Sequence, residues 1–302
     1  SRCWYARCAF VSQSFGQIIL MKTNLLEKHA KSFYWASFFL SKEIFFKCSS
    51  LYNFCRTLDD LADDKSKLDY KKKKFFKFKE DFLNKNFENP IIKDMWSIIE
   101  SENISQKVVI DLFDGVETDL QEKVQITSKK DLLIYSYRVA GTVGLMMSKI
   151  LKVKKKEAFK GAIDLGIAMQ LTNIARDVNE DKNRKRQYIK SDFSSISETI
   201  KESEVFYQKS FRSISGIPLR SRFSVLVARR VYRKIGNYIL KQKNTENYNK
   251  AGKIYVTIFG KIIETLLSIF DFIELLFVKE INHDNLINHN ILEEEINLNE
   301  RV

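Results

Sequence analysis

With 302 residues, 44% of them hydrophobic, the chain can bury a sizeable core, and 2 prolines and 10 glycines are too few for a fold built from many tight turns. The formal net charge of +13 points to an anionic partner, which leaves nucleic acid, an anionic membrane surface or a phosphorylated substrate, although runs such as Lys71 to Lys74 and Lys154 to Lys156 equally serve to solvate a surface. No RNA-binding signature and no Cys/His zinc spacing accompany the basic runs, so nucleic acid is the weakest option, and the four cysteines (Cys3, Cys8, Cys48, Cys55) form no disulfide framework, which implies a reducing cytoplasm.

Residues 1–20 are moderately apolar without a clean hydrophobic run and cleavage site. Met21 opens a different-looking stretch, so we expect residues 1–20 to be a non-native or disordered leader, with a short targeting segment as the alternative. From Lys31 to Asp64 apolar residues recur at helical spacing, and Cys48 and Cys55, seven apart, share a face. Lys67 to Asn84 is basic and aromatic, with Phe75, Phe76, Phe78 and Phe82 on a predicted helix. Pro90 breaks the chain. Ile91 to Ile99 and Gln106 to Leu120 follow, the second capped by Ser105. Ser128 to Leu151 carries Gly141 and Gly144, and Lys155 to Asp181 carries Gly161 and Gly166. Ile196 to Ile214 and Ser221 to Leu240 are the next helices, and Ile254 to Glu280 is the most hydrophobic stretch. No run alternates with period two, no fixed repeat occurs and no Gly/Ser linker divides the chain. One all-α domain over residues 21–281 is the economical reading, with a polar tail at 282–302. Within Val256 to Phe277, each of Lys261, Glu264, Asp271 and Glu274 would cost about 2–3 kcal/mol in lipid, so a packed or membrane-surface helix is expected rather than a span.

Two acidic rows carry chemistry. In Arg56-Thr57-Leu58-Asp59-Asp60-Leu61-Ala62-Asp63-Asp64, Asp59 and Asp63 are four apart and share a helix face. Like charges at that spacing repel, and a divalent cation offsets the repulsion; a solvated acidic helix end is the plain alternative. In Asn173-Ile174-Ala175-Arg176-Asp177-Val178-Asn179-Glu180-Asp181, Asn173, Asp177 and Asp181 form a row of oxygen-bearing side chains, with Gln170 one turn earlier. Lys182, Arg184, Lys185 and Arg186 follow at once. Metal ligands beside fixed positive charge suit a diphosphate.

These rows and their order resemble the squalene/phytoene synthase family. His29-Ala30-Lys31-Ser32-Phe33-Tyr34 is similar to its opening motif. Tyr52, Arg56, Asp59 and Asp63 are similar to its first aspartate-rich helix, and Tyr135-Ser136-Tyr137-Arg138-Val139-Ala140-Gly141-Thr142-Val143-Gly144 to its central motif. Asp164-Leu165-Gly166 through Gln170, Asn173, Arg176, Asp177 and Asp181 are similar to its second aspartate-rich helix. The resemblance covers about residues 25–260. Two departures stand out. Lys185-Arg186-Gln187-Tyr188-Ile189-Lys190 replaces the family's Gly-Arg-x-Tyr-Leu-Pro, keeping the Arg and Tyr, and Lys250 or Lys253 stands where the family has an Arg.

The resemblance implies a single-domain isoprenoid synthase helical bundle with a central cavity. It also implies head-to-head condensation of two prenyl diphosphates, dependent on Mg²⁺ or Mn²⁺ and without NADPH. Asp59, Asp63, Asn173, Asp177 and Asp181 would hold metal-bound diphosphate, and Arg56, Arg176 and Ser32 would contact its oxygens. His29 and Gln170 complete the substrate-binding set, and Phe33, Tyr52, Tyr135 and Tyr232 would shape a dry cavity. Asp59, Asp63, Asp177, Asp181, Arg56 and Tyr52 form the implied catalytic set. Small residues such as Ala140, Gly141, Gly144 and Gly166 leave room for prenyl tails or for close helix packing. The wording of Val139 to Met147 and Leu171 to Asp177 resembles the bacterial phytoene synthases, implying geranylgeranyl diphosphate as substrate. A squalene or dehydrosqualene synthase acting on farnesyl diphosphate is the alternative, and a catalytically dead partner protein would be expected to carry broken aspartate rows. Peripheral membrane association from the cytoplasm is expected, with no nucleic-acid partner and the oligomeric state left open.

Overall fold

A serine hydroxyl opens the first long helix. The side chain of Ser41 accepts the Ile44 amide and caps α1 (Lys42–Asp63), which turns Leu51, Phe54, Leu58 and Ala62 into the core at helical spacing. The computed structural model describes residues 35–278 together with 281, 290–293, 297, 300 and 301. The predicted leader and the predicted site residues His29, Ser32 and Phe33 lie outside the described residues. The helix expected from Lys31 is interrupted: a turn at 38–40 separates a short helical stretch at 35–37 from α1.

Next come α2 (Leu68–Leu83), α3 (Pro90–Ser101) and α4 (Gln106–Glu117). Pro90 starts α3 rather than merely breaking the chain, since its fixed φ suits the first helical position and Asn89 caps the Ile91 amide at 3.0 Å. Ser105 sits at the start of α4, but its hydroxyl makes no capping hydrogen bond there. Phe54, Phe75, Phe78, Phe82 and Phe113 from α1, α2 and α4 pack ring against ring, with centroids 5.3–6.3 Å apart where they meet. The basic, aromatic α2 therefore buries its phenylalanines at 75, 78 and 82 and leaves Phe76 exposed.

The stretch from Ser128 is helical but not uniformly α. Ser128 caps α5 (Lys129–Ser136), a π-helical turn runs from Tyr137 to Gly141, and α6 (Thr142–Ile150) continues. The long α7 (Lys156–Asn183) packs across it at two glycines. A Cβ on Gly144 would lie 2.2 Å from the Ala162 carbonyl oxygen, and one on Gly166 would lie 2.3 Å from that of Ala140. These glycines permit close backbone approach, so α7 is held against the π-turn. Then follow α8 (Phe193–Ser213), α9 (Leu219–Leu240), α10 (Thr245–Ala251) and α11 (Ile258–Leu276). Thr257, in extended conformation, caps α11 at Gly260, so the helix starts at Ile258 and residues 254–257 are not helical.

The fold is all-α, as expected. Its one departure among the described residues is a parallel bridge of two-residue strands, β1 (Val124–Gln125) and β2 (Arg186–Gln187), too short to leave an alternating pattern. Among the described residues no helix is long and apolar enough to cross a membrane. Part of the segment expected as a polar tail is stitched to the body: Leu292 is fully buried, and the Arg301 guanidinium donates twice to Asp111, at 2.9 and 3.0 Å.

Candidate active site

The two acidic rows lie on α1 and α7, and both open onto one cavity of about 520 Å³. From α1 come Tyr52, Arg56, Asp59 and Asp63. From α7 come Gln170, Asn173, Arg176, Asp177 and Asp181. Tyr135 of α5 and Tyr232 of α9 complete the lining predicted from sequence. Every predicted site residue within the described chain thus meets at this cavity.

Each row is tied to fixed cations. Asp63 accepts from Arg184 and Arg186, both at 2.8 Å. Asp177 accepts the Arg176 guanidinium at 2.8 and 2.6 Å and has the Lys253 ammonium at 3.4 Å. Lys253 also donates to Glu180 at 2.6 Å, whereas Lys250 pairs with Glu246 on the surface, so Lys253 is the cation that reaches the site. Enclosure by the surrounding helices, then the Asp63 charge, pushes the Asp59 carboxyl up to about 7. Asp59 is exposed to the cavity, so cavity water screens part of this shift. Burial and then the Asp177 charge push Asp181 up to about 7 as well. Each row therefore holds a carboxyl that keeps its proton to a higher pH than an ordinary carboxylate.

Sequence reasoning missed Asp119. It lies on the turn at Thr118–Leu120 just after α4, with no acid four residues to either side, and only the tertiary fold brings it to the cavity. There it accepts the Tyr135 hydroxyl at 2.9 Å and the Tyr188 hydroxyl at 2.6 Å, while those two rings stack at 4.7 Å. Burial raises the Asp119 carboxyl, and the Arg186 charge opposes that rise. Tyr248 was missed too; its hydroxyl donates to the Ala175 and Arg176 carbonyls at 2.9 and 2.8 Å and fixes the backbone under Arg176.

The departure at Lys185 has a structural consequence. Lys185 takes φ 59°, the left-handed region that glycine adopts freely and other residues adopt at a cost of roughly 1–2 kcal/mol. The turn survives because β1 and β2 flank it: Val124 donates to the Lys185 carbonyl at 3.1 Å and Ile126 to that of Gln187 at 2.9 Å. Arg186 and Tyr188 are thereby delivered to the cavity without the glycine.

No three acidic, histidine or cysteine side chains among the described residues converge into a ready-made metal cage. The donor set nevertheless fits Mg²⁺, which takes one or two carboxylates and completes its shell with water and substrate phosphate. Two observations support the fit. The raised carboxyls on both rows reflect burial first and a like-charged neighbour second, both of which a bound cation would offset, and the buried Asn173 Oδ1 and Arg56 Nε have no hydrogen-bond partner, leaving an acceptor and a donor for a ligand.

A second, apolar cavity of about 260 Å³ adjoins the first, with Gln170, Asn173 and Tyr232 lining both. Its walls include the small residues Ala140, Gly144, Ala162, Gly166 and Ala228. A charged mouth thus leads into a hydrocarbon-lined interior, the arrangement required by an amphiphile with an anionic head.

Residues 26–193 match the profile of the family described as squalene/phytoene synthase. A 15-cis-phytoene synthase of Pantoea ananas is 29% identical over 220 residues, covering 62% of this chain and 71% of that protein. A 15-cis-phytoene synthase of Enterobacter agglomerans is 27% identical over 255 residues, covering 72% and 84%. Among solved structures, a dehydrosqualene synthase in complex with a ligand superposes with a TM-score of 0.70 at 25% identity, covering 85% of this chain and 97% of that one.

Proposed function

The chain belongs to the squalene/phytoene synthase family and is a prenyltransferase, and from that premise we propose that it condenses two geranylgeranyl diphosphates head to head, through prephytoene diphosphate, to phytoene. The observation that carries this reading is the pairing of a doubly acidic, cation-rimmed mouth with an apolar cavity walled by small side chains.

The two half-reactions release two diphosphates and two protons, and no hydride is needed. Arg56, Arg176 and Lys253, which line the mouth, would hold the diphosphate heads, and Asp59, Asp63, Asn173, Asp177 and Asp181 would hold Mg²⁺ against them. When bound, Mg²⁺ offsets the charge developing on the leaving diphosphate. Tyr52 and Tyr232 stand in the mouth, where their rings can face an allylic cation at about 0.5–2 kcal/mol each. Tyr135, Tyr188 and Asp119 form a closed hydrogen-bonded wall beside them, and the apolar cavity keeps water from the cations. The proposed product is a hydrocarbon that water does not hold, which suits an enzyme that works at a membrane surface.

Product analysis tests the reading. With Mg²⁺ and no NADPH, the C20 diphosphate is expected to give phytoene. Squalene or dehydrosqualene from the C15 diphosphate, with no phytoene formed, would replace it by the second reading, which the likeness to a dehydrosqualene synthase favours.

The depth of the apolar cavity gives a second test. Ser224 lines it two turns of α9 below Tyr232, about 12 Å along the helix axis. The Ser224→Phe variant should cut turnover of the C20 substrate at least about tenfold while sparing the C15 one, because an isoprene unit without room cannot bind productively. Equal losses on both substrates would mean that this wall does not measure chain length.

A further inference from the structure

The polarity of α11 is inverted. Its residues Lys261, Glu264 and Asp271 are buried against α9, where Asp271 accepts Arg230 at 2.6 and 2.7 Å and Glu264 lies 2.9 Å from Lys234 and 3.4 Å from Arg230. The opposite side is apolar and open: Ile258, Phe259, Leu266, Phe270 and Phe277 are 57–77% exposed. At 100° per residue, the exposed positions sweep about half the helix circumference, and Glu274 is the one charged residue of α11 among them. An exposed face of that extent marks an interaction surface.

Two further observations say what covers it. The first is continuity with the apolar cavity. Ala36, Ser37 and Leu40 line that cavity, while Phe38 and Phe39 of the same turn are 64% and 38% exposed. Phe39 packs edge-on against Phe223 at 4.9 Å, Phe223 packs against Phe272 of α11 at 6.2 Å, and Trp35 donates to Thr265 at 2.9 Å. One thin turn therefore separates the hydrocarbon-lined interior from the exposed face. The second is charge. Because α9 and α11 run antiparallel, exposed Arg220 stands toward one end of the face and exposed Lys241 toward the other, on a chain of net charge +13.

We propose that the outer face of α11, with the Phe38–Phe39 turn, docks on an anionic lipid surface and sets the apolar cavity against the bilayer, so that prenyl chains pass between lipid and enzyme at this turn while the diphosphate mouth stays in water. A helix lying in the interface buries one apolar half, and cations at its edges add attraction to anionic headgroups. The inference rests on the prenyltransferase reading but not on the choice of C20 over C15.

The test uses the full chain and a variant carrying Phe259→Asp, Leu266→Asp and Phe270→Asp, all exposed and none in the diphosphate or apolar cavity. Sedimentation with phosphatidylcholine vesicles, with and without phosphatidylserine, should show wild type bound most strongly to the anionic vesicles and at least tenfold weaker partitioning of the variant. Both proteins should turn over detergent-dispersed substrate equally and run at the same size. Equal vesicle binding by the two proteins would overturn the proposal, and so would a variant that changes only from dimer to monomer, which would give the face to a second copy. The vesicle assay needs no turnover, so failure of the catalytic reading would leave its outcome legible.

Discussion

The Asp177→Ala variant is expected to lose roughly 10²–10³-fold in turnover while keeping its helical circular dichroism, and Asp59→Ala should behave alike. Asp177 holds Arg176 through two hydrogen bonds and has Lys253 at 3.4 Å, so on the proposed reading one carboxylate would serve as a metal ligand and also position two cations for the diphosphate. Its removal leaves Arg176 without that anchor, next to the unpaired Asn173 oxygen. The fold should not suffer. The Asp177 charge is one of the causes that raise Asp181, and deleting one of two like charges a turn apart relieves α7. That relief is set against the loss of the Arg176 ion pair, so thermal melts of the metal-free variant should show a folded protein with no more than a modest net loss of stability. A folded Asp177→Ala or Asp59→Ala protein with wild-type turnover would refute the assignment of both rows.

The parts of this site that were legible in sequence are those that one helix fixes by itself. Asp59 with Asp63, and Asn173 with Asp177 and Asp181, follow from spacing within α1 and α7, and the arginines on the same turns come with them. Asp119 could not be read this way. Its partners Tyr135 and Tyr188 are 16 and 69 residues away, and nothing local distinguishes it from a surface acid at a helix end. The π-turn at Tyr137–Gly141 was hidden because its sequence is compatible with plain α-helix; close contact with α7 at Gly166 accompanies the change. In α11 the hydrophobicity was visible, but its direction was not. Lys261, Glu264 and Asp271 show in sequence only as charges that interrupt an apolar run; once Arg230 and Lys234 of α9 are placed opposite Glu264 and Asp271, the charged side becomes the buried one. Lys185 shows the converse, a missing glycine whose turn is kept by neighbouring backbone hydrogen bonds.

Chelation should abolish turnover, and the same carboxyls should make metal binding visible in stability. In metal-free protein Asp59 and Asp181 sit near 7, against about 4 in an unfolded chain. Between those values the native state holds more protons than the unfolded one, so stability must fall as pH rises from about 4 to about 7. The sign is opposite to that of salt-bridged acids such as Glu102, whose lowered value costs stability only as pH drops below the ordinary carboxylate range. On the proposed reading a divalent cation would bind the ionised rows and offset their mutual repulsion. Mg²⁺ should therefore raise the melting temperature by a few degrees at pH 8 and by much less at pH 5, where protons already occupy the sites. Replacing Asp181 by Asn keeps the shape but removes one titrating group, so this variant should show a shallower loss between pH 4 and 7 and a smaller response to Mg²⁺. Cavity water at Asp59 moderates that residue's share, which makes Asp181 the better probe. Full turnover in excess EDTA, or a Mg²⁺ shift equal at both pH values and unchanged in Asp181→Asn, would show that the acidic rows do not hold the metal.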